Sequence, residues 1–109
     1  MLVSAGFDIY FKDPLGGMEV TSEGFTALTD VLMLIAKTFS HERMLITLEG
    51  GYHLGGLRDG TKSVIKHMMG KTTSQDLALT KKNLENFGQR ANYPIKRAIS
   101  VQREFWKCF

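Results

Sequence analysis

The chain has 109 residues, 43% of them hydrophobic, which is enough for one modest core and too few for a second domain. Its formal charge of +3 comes from Lys and Arg in short pairs scattered through the second half, without a dense basic run. A groove for nucleic acid needs basic side chains on one face with aromatic residues between them, so this pattern does not favour nucleic-acid binding. The single Cys108 excludes a disulfide within the chain and a zinc cluster of several cysteines.

No segment comes near the roughly 20 consecutive apolar residues that a membrane-spanning helix requires. The first residues, Met-Leu-Val-Ser-Ala-Gly, lack the basic and then apolar order of a signal peptide. We therefore expect a soluble, cytoplasmic protein without membrane contacts. The chain also begins inside a strand-like run with no preceding loop, which indicates a truncated start.

A strand, a helix and a second strand are predicted in the first half of the chain. Residues 2–7 form a short apolar run that is typical of a buried parallel strand. Thr21 is a suitable N-cap for a helix at 22–39. A second apolar run, residues 44–48, is stopped by two glycines. The apolar residues that recur at helical spacing are Phe25, Leu28, Val31, Leu32, Ile35 and Phe39.

The order of these elements predicts a βαβ unit, in which the strands are parallel and the crossover is right-handed. Both strands then end at the same edge of the sheet. Asp8 and Tyr52 follow those two ends, and open α/β sheets bind ligands at that edge. Between the first strand and the helix, residues 13–17 contain Gly and Pro and predict a loop.

Further helices are predicted after the second strand. Apolar residues from Leu57 to Met69 indicate a helix that ends near Gly70. Residues 71–92 are polar and predict a loop followed by a short or weak helix. Pro94 is well placed at the start of a terminal helix. The apolar residues that fit this terminal helix are Ile95, Ile99, Val101, Phe105 and Trp106.

Three short motifs identify a family when they are taken together. Ala-Gly-Phe-Asp occupies residues 5–8, Asp-Pro-Leu-Gly-Gly residues 13–17, and Glu-Gly-Gly-Tyr residues 49–52. With these motifs in this order, the chain resembles the histone deacetylase superfamily, which includes acetoin-utilisation proteins and acetylpolyamine amidohydrolases. The match covers residues 2–69, and residues 98–106 are similar to the family's closing helix.

The resemblance implies an α/β fold, namely the βαβ portion of the parallel-sheet arginase/deacetylase fold followed by carboxyl-terminal helices. It implies that residues 1–109 are the carboxyl-terminal part of a single catalytic domain. The strand-helix-strand unit would occupy residues 2–49, and helices and loops would occupy residues 53–109.

The resemblance also implies zinc-dependent hydrolysis of an acetylated amine, such as acetyl-lysine or an acetylpolyamine. Asp8 corresponds to one of three protein ligands of the catalytic Zn²⁺, which keeps an open position for water and substrate. Tyr52 corresponds to the tyrosine whose hydroxyl hydrogen-bonds the amide oxygen as it becomes an oxyanion. A histidine acts as base and then as acid in this mechanism.

Four further residues correspond to substrate-binding positions of the family. Gly50 and Gly51 would let the backbone approach the acyl group, because glycine has no Cβ to collide with it. Leu15 corresponds to a residue that lines the acyl-lysine tunnel, and Pro14 would stiffen that wall. Asp13 is interpreted as a hydrogen-bond acceptor for the loop rather than as a metal ligand.

Two positions depart from the commonest form of the family. Glu49 is similar to class II and bacterial members, whereas class I members have glycine there. His53 stands where most members have asparagine. We expect His53 to satisfy the turn locally rather than to tune Tyr52, because polar side chains beside turns usually bond to nearby backbone.

The resemblance implies further ligands that this sequence does not contain. In the family, an Asp and a His two residues apart, and paired histidines, precede the strand that ends at Asp8. Here His41, His53 and His67 all come later. We expect the chain alone to be inactive and to need the missing amino-terminal part of the domain as its partner. A substitute metal site of Asp8, His53 and Cys108 has no spacing motif to support it.

An alternative function is a non-catalytic binding or assembly module that keeps the βαβ unit. Two parallel strands leave two open sheet edges, and sheet faces without covering helices would be apolar. Self-association is therefore expected under either hypothesis. A nucleic-acid binder would instead show an affinity that depends steeply on salt.

Overall fold

The fold of the protein is known from a computed structural model that describes residues 1–73 and 92–106. The elements, in chain order, are strand β1, helix α1, strand β2, helix α2 and helix α3. Their bounds are Leu2–Ala5 for β1, Ser22–Phe39 for α1, Leu45–Leu48 for β2 and Leu54–Met68 for α2, and the described part of α3 covers residues 92–102.

Strands β1 and β2 pair in parallel, with Leu2 opposite Leu45 and Ala5 opposite Leu48. The pairing continues past the strand ends, because the Glu49 N–H donates to Ala5 O at 3.0 Å and the Phe7 N–H donates to Gly50 O at 2.8 Å. The predicted βαβ unit is therefore confirmed, and both strands end at the same edge.

Helix α1 has the predicted bounds, and its termini show why. The Thr21 hydroxyl accepts a hydrogen bond from the Gly24 N–H at 3.4 Å, which satisfies one free donor of the first turn. At the other end, the Ser40 N–H donates to Ala36 O at 2.8 Å. His41 and Glu42 then adopt positive φ angles of 48° and 63°, which reverse the chain toward β2.

Several predicted boundaries differ from the structure. β1 ends at Ala5 rather than at residue 7, and Phe7 is buried in the core. β2 begins at Leu45 rather than at residue 44. α2 begins at Leu54, before the first predicted apolar position, because the preceding side chain caps it.

The terminal helix also differs from its prediction. Pro94 lies within α3, whose described residues begin at 92. The helix ends at residue 102, so Phe105 and Trp106 follow it. Most of the predicted loop and weak helix at 71–92 lies outside the described residues.

The core is small and forms where α1 and α2 pack on the segment that follows β1. Phe7, Tyr10 and Phe25 are buried, and the Phe7 and Phe25 rings lie 4.9 Å apart between centroids. Two glycines on one face of α2, Gly56 and Gly60, let the helix approach these rings. A Cβ on Gly56 would collide with the Tyr10 ring, so the close packing depends on glycine.

Gly60→Ala should destabilise the protein although alanine favours helices. A Cβ at residue 60 would lie 2.7 Å from Phe7 Cδ1 and 3.1 Å from Phe25 Cδ2. Alanine gains about 1 kcal/mol over glycine in a helix, but overpacking costs about 1–3 kcal/mol. We expect a net loss of about 1 kcal/mol in unfolding free energy by urea titration. Lys62→Ala, exposed on the same helix, is the control, and a more stable Gly60→Ala variant would contradict this packing.

Helix α1 buries a different set of residues from the predicted one. Phe25 is buried as expected, but its buried neighbours are Thr26, Thr29 and Ala36. The Thr29 hydroxyl donates to Phe25 O at 2.7 Å, so its burial leaves no unpaired donor. Most of the predicted apolar stripe is exposed instead, with Phe39 80% exposed. The exposed members of that stripe are Leu28, Val31, Ile35 and Phe39.

An apolar groove of about 380 Å³ lies between β1 and this side of α1. Its walls include Val3 and Ile46 from the strands, and Leu28 and Val31 from the helix.

Across the described ranges, no helix is both long and apolar enough to cross a bilayer.

Candidate active site

Asp8 follows β1 and places its carboxylate between two glycines. A Cβ on Gly6 would lie 2.7 Å from Asp8 Oδ1, and a Cβ on Gly50 would lie 2.6 Å from Asp8 Oδ2. Real Cβ atoms do not approach oxygen so closely, so both positions need glycine for the carboxylate to lie here. Within residues 1–73 and 92–106, no hydrogen bond is made to this carboxylate. It is therefore free to accept a ligand.

The loop after Asp8 lies directly on its backbone. A Cβ on Gly16 would collide with the carbonyl oxygen of Asp8. The base of this loop is closed by the pairing of Tyr10 with Val20, in which the Phe11 N–H donates to Val20 O at 3.0 Å. The loop that carries Pro14 and Leu15 is thus held beside Asp8.

Tyr52 lies on the turn that follows β2. Gly51 has a φ of 139°, which L side chains rarely adopt, and a Cβ there would lie 3.0 Å from Phe7 Cβ. The Tyr52 side chain is 57% exposed and does not belong to the core. Because the turn packs on Phe7, directly before Asp8, the structure brings the two predicted residues to one edge of the sheet, as their order predicts.

Asp13 connects the loop to the turn. Its Oδ1 accepts hydrogen bonds from the N–H groups of Leu15 at 2.9 Å and Gly16 at 3.2 Å. Its Oδ2 accepts from the N–H groups of Tyr52 at 2.8 Å and His53 at 3.1 Å. The sequence predicts an acceptor for the loop, and the bonds to the Tyr52 turn, across 39 and 40 residues of sequence, were missed.

These hydrogen bonds set the ionisation of Asp13. Desolvation is the largest single influence and acts to raise the pKa of its carboxyl. The four backbone N–H donors together outweigh that influence and hold the pKa below its ordinary value of 3.8. The ionised form is the one that can accept all four bonds.

The stability of the protein should therefore depend on Asp13 in a pH-dependent way. A lowered pKa contributes stability that is complete above the unfolded-state pKa and is lost as the pH falls through the folded-state pKa. Asp13→Asn should be less stable than the wild type at pH 7, and the difference should shrink below about pH 4. Urea unfolding from pH 3 to 7 measures this, with Glu19→Gln in the same loop as control. A difference that stays constant across this range would contradict it.

Leu15 has a 72% exposed side chain, and its backbone N–H is one of the Asp13 donors. Pro14 lies between Asp13 and Leu15 and fixes the backbone where the loop turns. The pair therefore stands on an anchored loop next to Asp8, while its role in a substrate tunnel stays a prediction.

His53 acts on the local backbone. Its Nδ1 accepts a hydrogen bond from the Gly56 N–H at 2.9 Å, which caps the first turn of α2. Its ring lies 5.4 Å from the Tyr10 ring between centroids, at an interplanar angle of 30°. The expectation that His53 satisfies the turn is confirmed, and Nδ1 must be unprotonated to do so.

Glu49, the other departure from the common pattern, pairs across the strands. Its Oε1 accepts a hydrogen bond from the Ser4 hydroxyl at 2.8 Å. This contact joins the ends of β1 and β2 next to Asp8. The side chain therefore has a structural partner at the edge where the site lies.

A metal site built from this chain's own side chains is not found in the part that the structure describes, where no three His, Cys, Asp or Glu side chains cluster. Asp8 offers a single carboxylate. His53 already uses Nδ1 as a helix cap, and Cys108 lies outside the described residues. The described residues thus fit one ligand of a zinc ion and do not fit a complete set.

The fold and this edge define an α/β protein in which a carboxylate and a tyrosine follow adjacent parallel strands. Residues 1–68 match the family model for the histone deacetylase domain. The chain is 30% identical over 107 residues to histone deacetylase 15 of Arabidopsis thaliana, covering 97% of this chain and 18% of that protein. It is 34% identical over 110 residues to polyamine deacetylase HDAC10 of Homo sapiens, covering 98% of this chain and 15% of that protein. The chain belongs to the histone deacetylase family.

A solved structure of the HDA15 HD domain is similar to this fold. The TM-score is 0.58 at 31% sequence identity, and the match covers 94% of this chain and 27% of that one. The predicted family and the predicted α/β fold class are confirmed by these comparisons. The chain spans 11% to 18% of the length of the curated relatives it matches.

Proposed function

We propose that this chain is the carboxyl-terminal part of the catalytic domain of a zinc-dependent deacetylase that hydrolyses an acetylated amine. The observation that carries the proposal is the position of the Asp8 carboxylate against Gly50, with the exposed Tyr52 two residues further along the same turn. Membership of the histone deacetylase family supports this assignment. We place the protein in the cytoplasm, because its single cysteine suits a reducing compartment.

Asp8 would hold the zinc ion through its carboxylate. The donor type is suitable, since zinc accepts carboxylate oxygen, and the two flanking glycines leave room around the carboxylate. The remaining ligands and the histidines that move protons would come from the amino-terminal part of the domain. Bound there, zinc would polarise the amide carbonyl and lower the pKa of a water molecule.

Tyr52 would stabilise the oxyanion. A hydroxyl on an exposed side chain can donate a hydrogen bond to the amide oxygen as negative charge develops on it. The turn that carries Tyr52 is fixed from beneath, by Gly51 against Phe7 and by the Asp13 carboxylate. The hydroxyl would therefore be carried by a rigid turn and would need little reorganisation during the reaction.

The substrate would enter beside the loop at residues 13–17. Leu15 and Pro14 would form one wall of the acyl channel, and Gly50 and Gly51 would let the acyl group approach the backbone. The relatives described above include a histone deacetylase and a polyamine deacetylase. The shared substrate class is an acetylated amine.

The first experiment compares this chain alone with the complete deacetylase that we propose contains it. Zinc content after gel filtration and hydrolysis of an acetyl-lysine peptide and of an N-acetylated polyamine would be measured for both. We expect near-zero zinc and no hydrolysis for the chain alone, and about one zinc ion with hydrolysis for the complete protein. About one zinc ion per isolated chain would contradict the proposed ligand set.

A second candidate, a non-catalytic assembly module, is favoured by the exposed apolar residues of α1 and by the groove beside β1. In a deacetylase, the missing part of the domain would cover the same surfaces. The two candidates differ in how the isolated chain associates. A single defined oligomer would favour the module, whereas broad association that ends when the amino-terminal part is co-expressed would favour the deacetylase.

A further inference from the structure

We propose that Asp13 is a positioning residue that fixes Tyr52 and the Pro14–Leu15 loop in one arrangement, so that the oxyanion donor and the channel wall are set together. This inference rests on the role proposed for Tyr52. It assigns Asp13 no contact with the substrate or the metal.

The Asp13 side chain makes an unusually large number of hydrogen bonds to backbone. Each carboxylate oxygen of Asp13 accepts two backbone N–H groups, at 2.8–3.2 Å. One oxygen faces its own loop and the other faces the turn after β2. Hydrogen bonds to an ionised acceptor are stronger than neutral ones. The carboxylate joins two segments that no other side-chain contact links among the described residues.

These hydrogen bonds act on the part of the turn that carries Tyr52. Gly50 is held by its carbonyl through the Phe7 N–H, and His53 is held by its cap on α2. Tyr52 lies between Gly50 and His53 in the chain. Among the described residues, its backbone N–H bonds to Asp13 Oδ2 alone. Since the Tyr52 side chain is more than half exposed, core packing does not fix its direction. Its place depends on the backbone and therefore on Asp13.

Asp13 is not suited to bind the metal or to transfer a proton itself. An ionised carboxylate offers about four lone-pair sites, and four N–H donors already use those of Asp13. The same bonds lower its pKa, which is opposite to what a general acid at neutral pH requires. Asp13 therefore acts through the groups that it holds.

The expected effect follows from geometry. Misplacing a reacting group by about 1 Å can cost about 100-fold in rate. Asparagine has nearly the same shape as aspartate but replaces one acceptor oxygen by a donor group, so it can satisfy only one of the two segments. Asp13→Asn should therefore release either the turn or the loop, while the zinc ion stays bound.

A double-mutant cycle in the complete deacetylase tests whether Asp13 acts through Tyr52. Asp13→Asn should lower kcat by about 10- to 100-fold when Tyr52 is present. In the Tyr52→Phe background the same change should lower kcat by less than about threefold, because the donor that it positions is already gone. An equal loss in both backgrounds would mean that Asp13 is merely structural and would overturn the inference.

Amide hydrogen exchange gives a readout that does not depend on activity. In the same protein, Asp13→Asn should speed exchange of the Tyr52 and His53 amides, or of the Leu15 and Gly16 amides, by about tenfold. Glu19→Gln is the control, since it changes a carboxylate of the same loop for which the described residues provide no hydrogen bond. Unchanged exchange of all four amides in Asp13→Asn would overturn the inference.

The two measurements separate this inference from the proposed function. If the wild-type protein hydrolyses no acetylated amine, the proposed function fails, and faster exchange at the Tyr52 amide would still support the hold of Asp13 on the turn. If the wild type is active and Asp13→Asn changes neither kcat nor exchange, the proposed function stands and this inference fails.

Discussion

Asp8→Ala should lower the zinc affinity of the complete deacetylase by more than about 100-fold and should abolish hydrolysis with it. The reason is that Asp8 offers a carboxylate with no hydrogen bond among the described residues, in a space that two glycines leave open. Its removal would take a ligand from the metal without breaking a contact that holds the fold. Elemental analysis after gel filtration measures the zinc, and urea unfolding of the zinc-free proteins checks the fold.

Asp59→Ala is the control for Asp8→Ala. Asp59 lies on α2, where its carboxylate pairs with the exposed Arg58, so its loss should leave the zinc content unchanged. Gly50→Ala provides a second variant that removes no ligand. Its Cβ would lie 2.6 Å from Asp8 Oδ2, so the carboxylate must turn away and zinc affinity should fall. Full zinc occupancy in Asp8→Ala would contradict the assignment of this ligand.

The placement of Asp8 and Tyr52 could be predicted from the sequence because a simple rule governs it. Two apolar strands joined by one capped helix pair in parallel, and parallel strands end at the same edge. The N-cap at Thr21 fixed the start of α1, so its bounds were predicted correctly. Local chemistry thus determined both the elements and the edge where the two residues meet.

The sequence could not predict which faces of the elements are buried. Helical spacing places Leu28 and Phe39 on one apolar stripe of α1. Their exposure depends on which segments pack on that stripe, and both are exposed here. Thr29 was not predicted as a core residue, because its hydroxyl is satisfied by the helix backbone only after folding. Burial is a property of the assembled elements, whereas helical spacing is a property of a single element.

The bonds of Asp13 to the Tyr52 turn were missed for a related reason. An Asp before Pro is typical of a turn, and that signal predicts the bonds to Leu15 and Gly16. The other two bonds reach residues 39 and 40 positions away, and no local pattern encodes them.

Tyr52→Phe should lower kcat of the complete deacetylase by about 100- to 1000-fold while zinc stays bound. The change removes one hydroxyl that would donate to the developing oxyanion. Among the described residues that hydroxyl makes no hydrogen bond, so the ring, the turn and the unfolding free energy should stay as they are. Steady-state kinetics with an acetyl-lysine peptide, together with zinc analysis of the same sample, measures both properties.

Tyr93→Phe is the matched control, because Tyr93 is also exposed but lies on α3 rather than at the sheet edge. Its kcat should equal that of the wild type. The two site variants should then differ in kind: Asp8→Ala loses zinc and activity together, whereas Tyr52→Phe loses activity and keeps zinc. Equal zinc loss in both variants would mean that the turn supports the metal as well, since Gly50, two residues before Tyr52, lies beside the Asp8 carboxylate. The separate roles proposed for a ligand and an oxyanion donor would then be wrong.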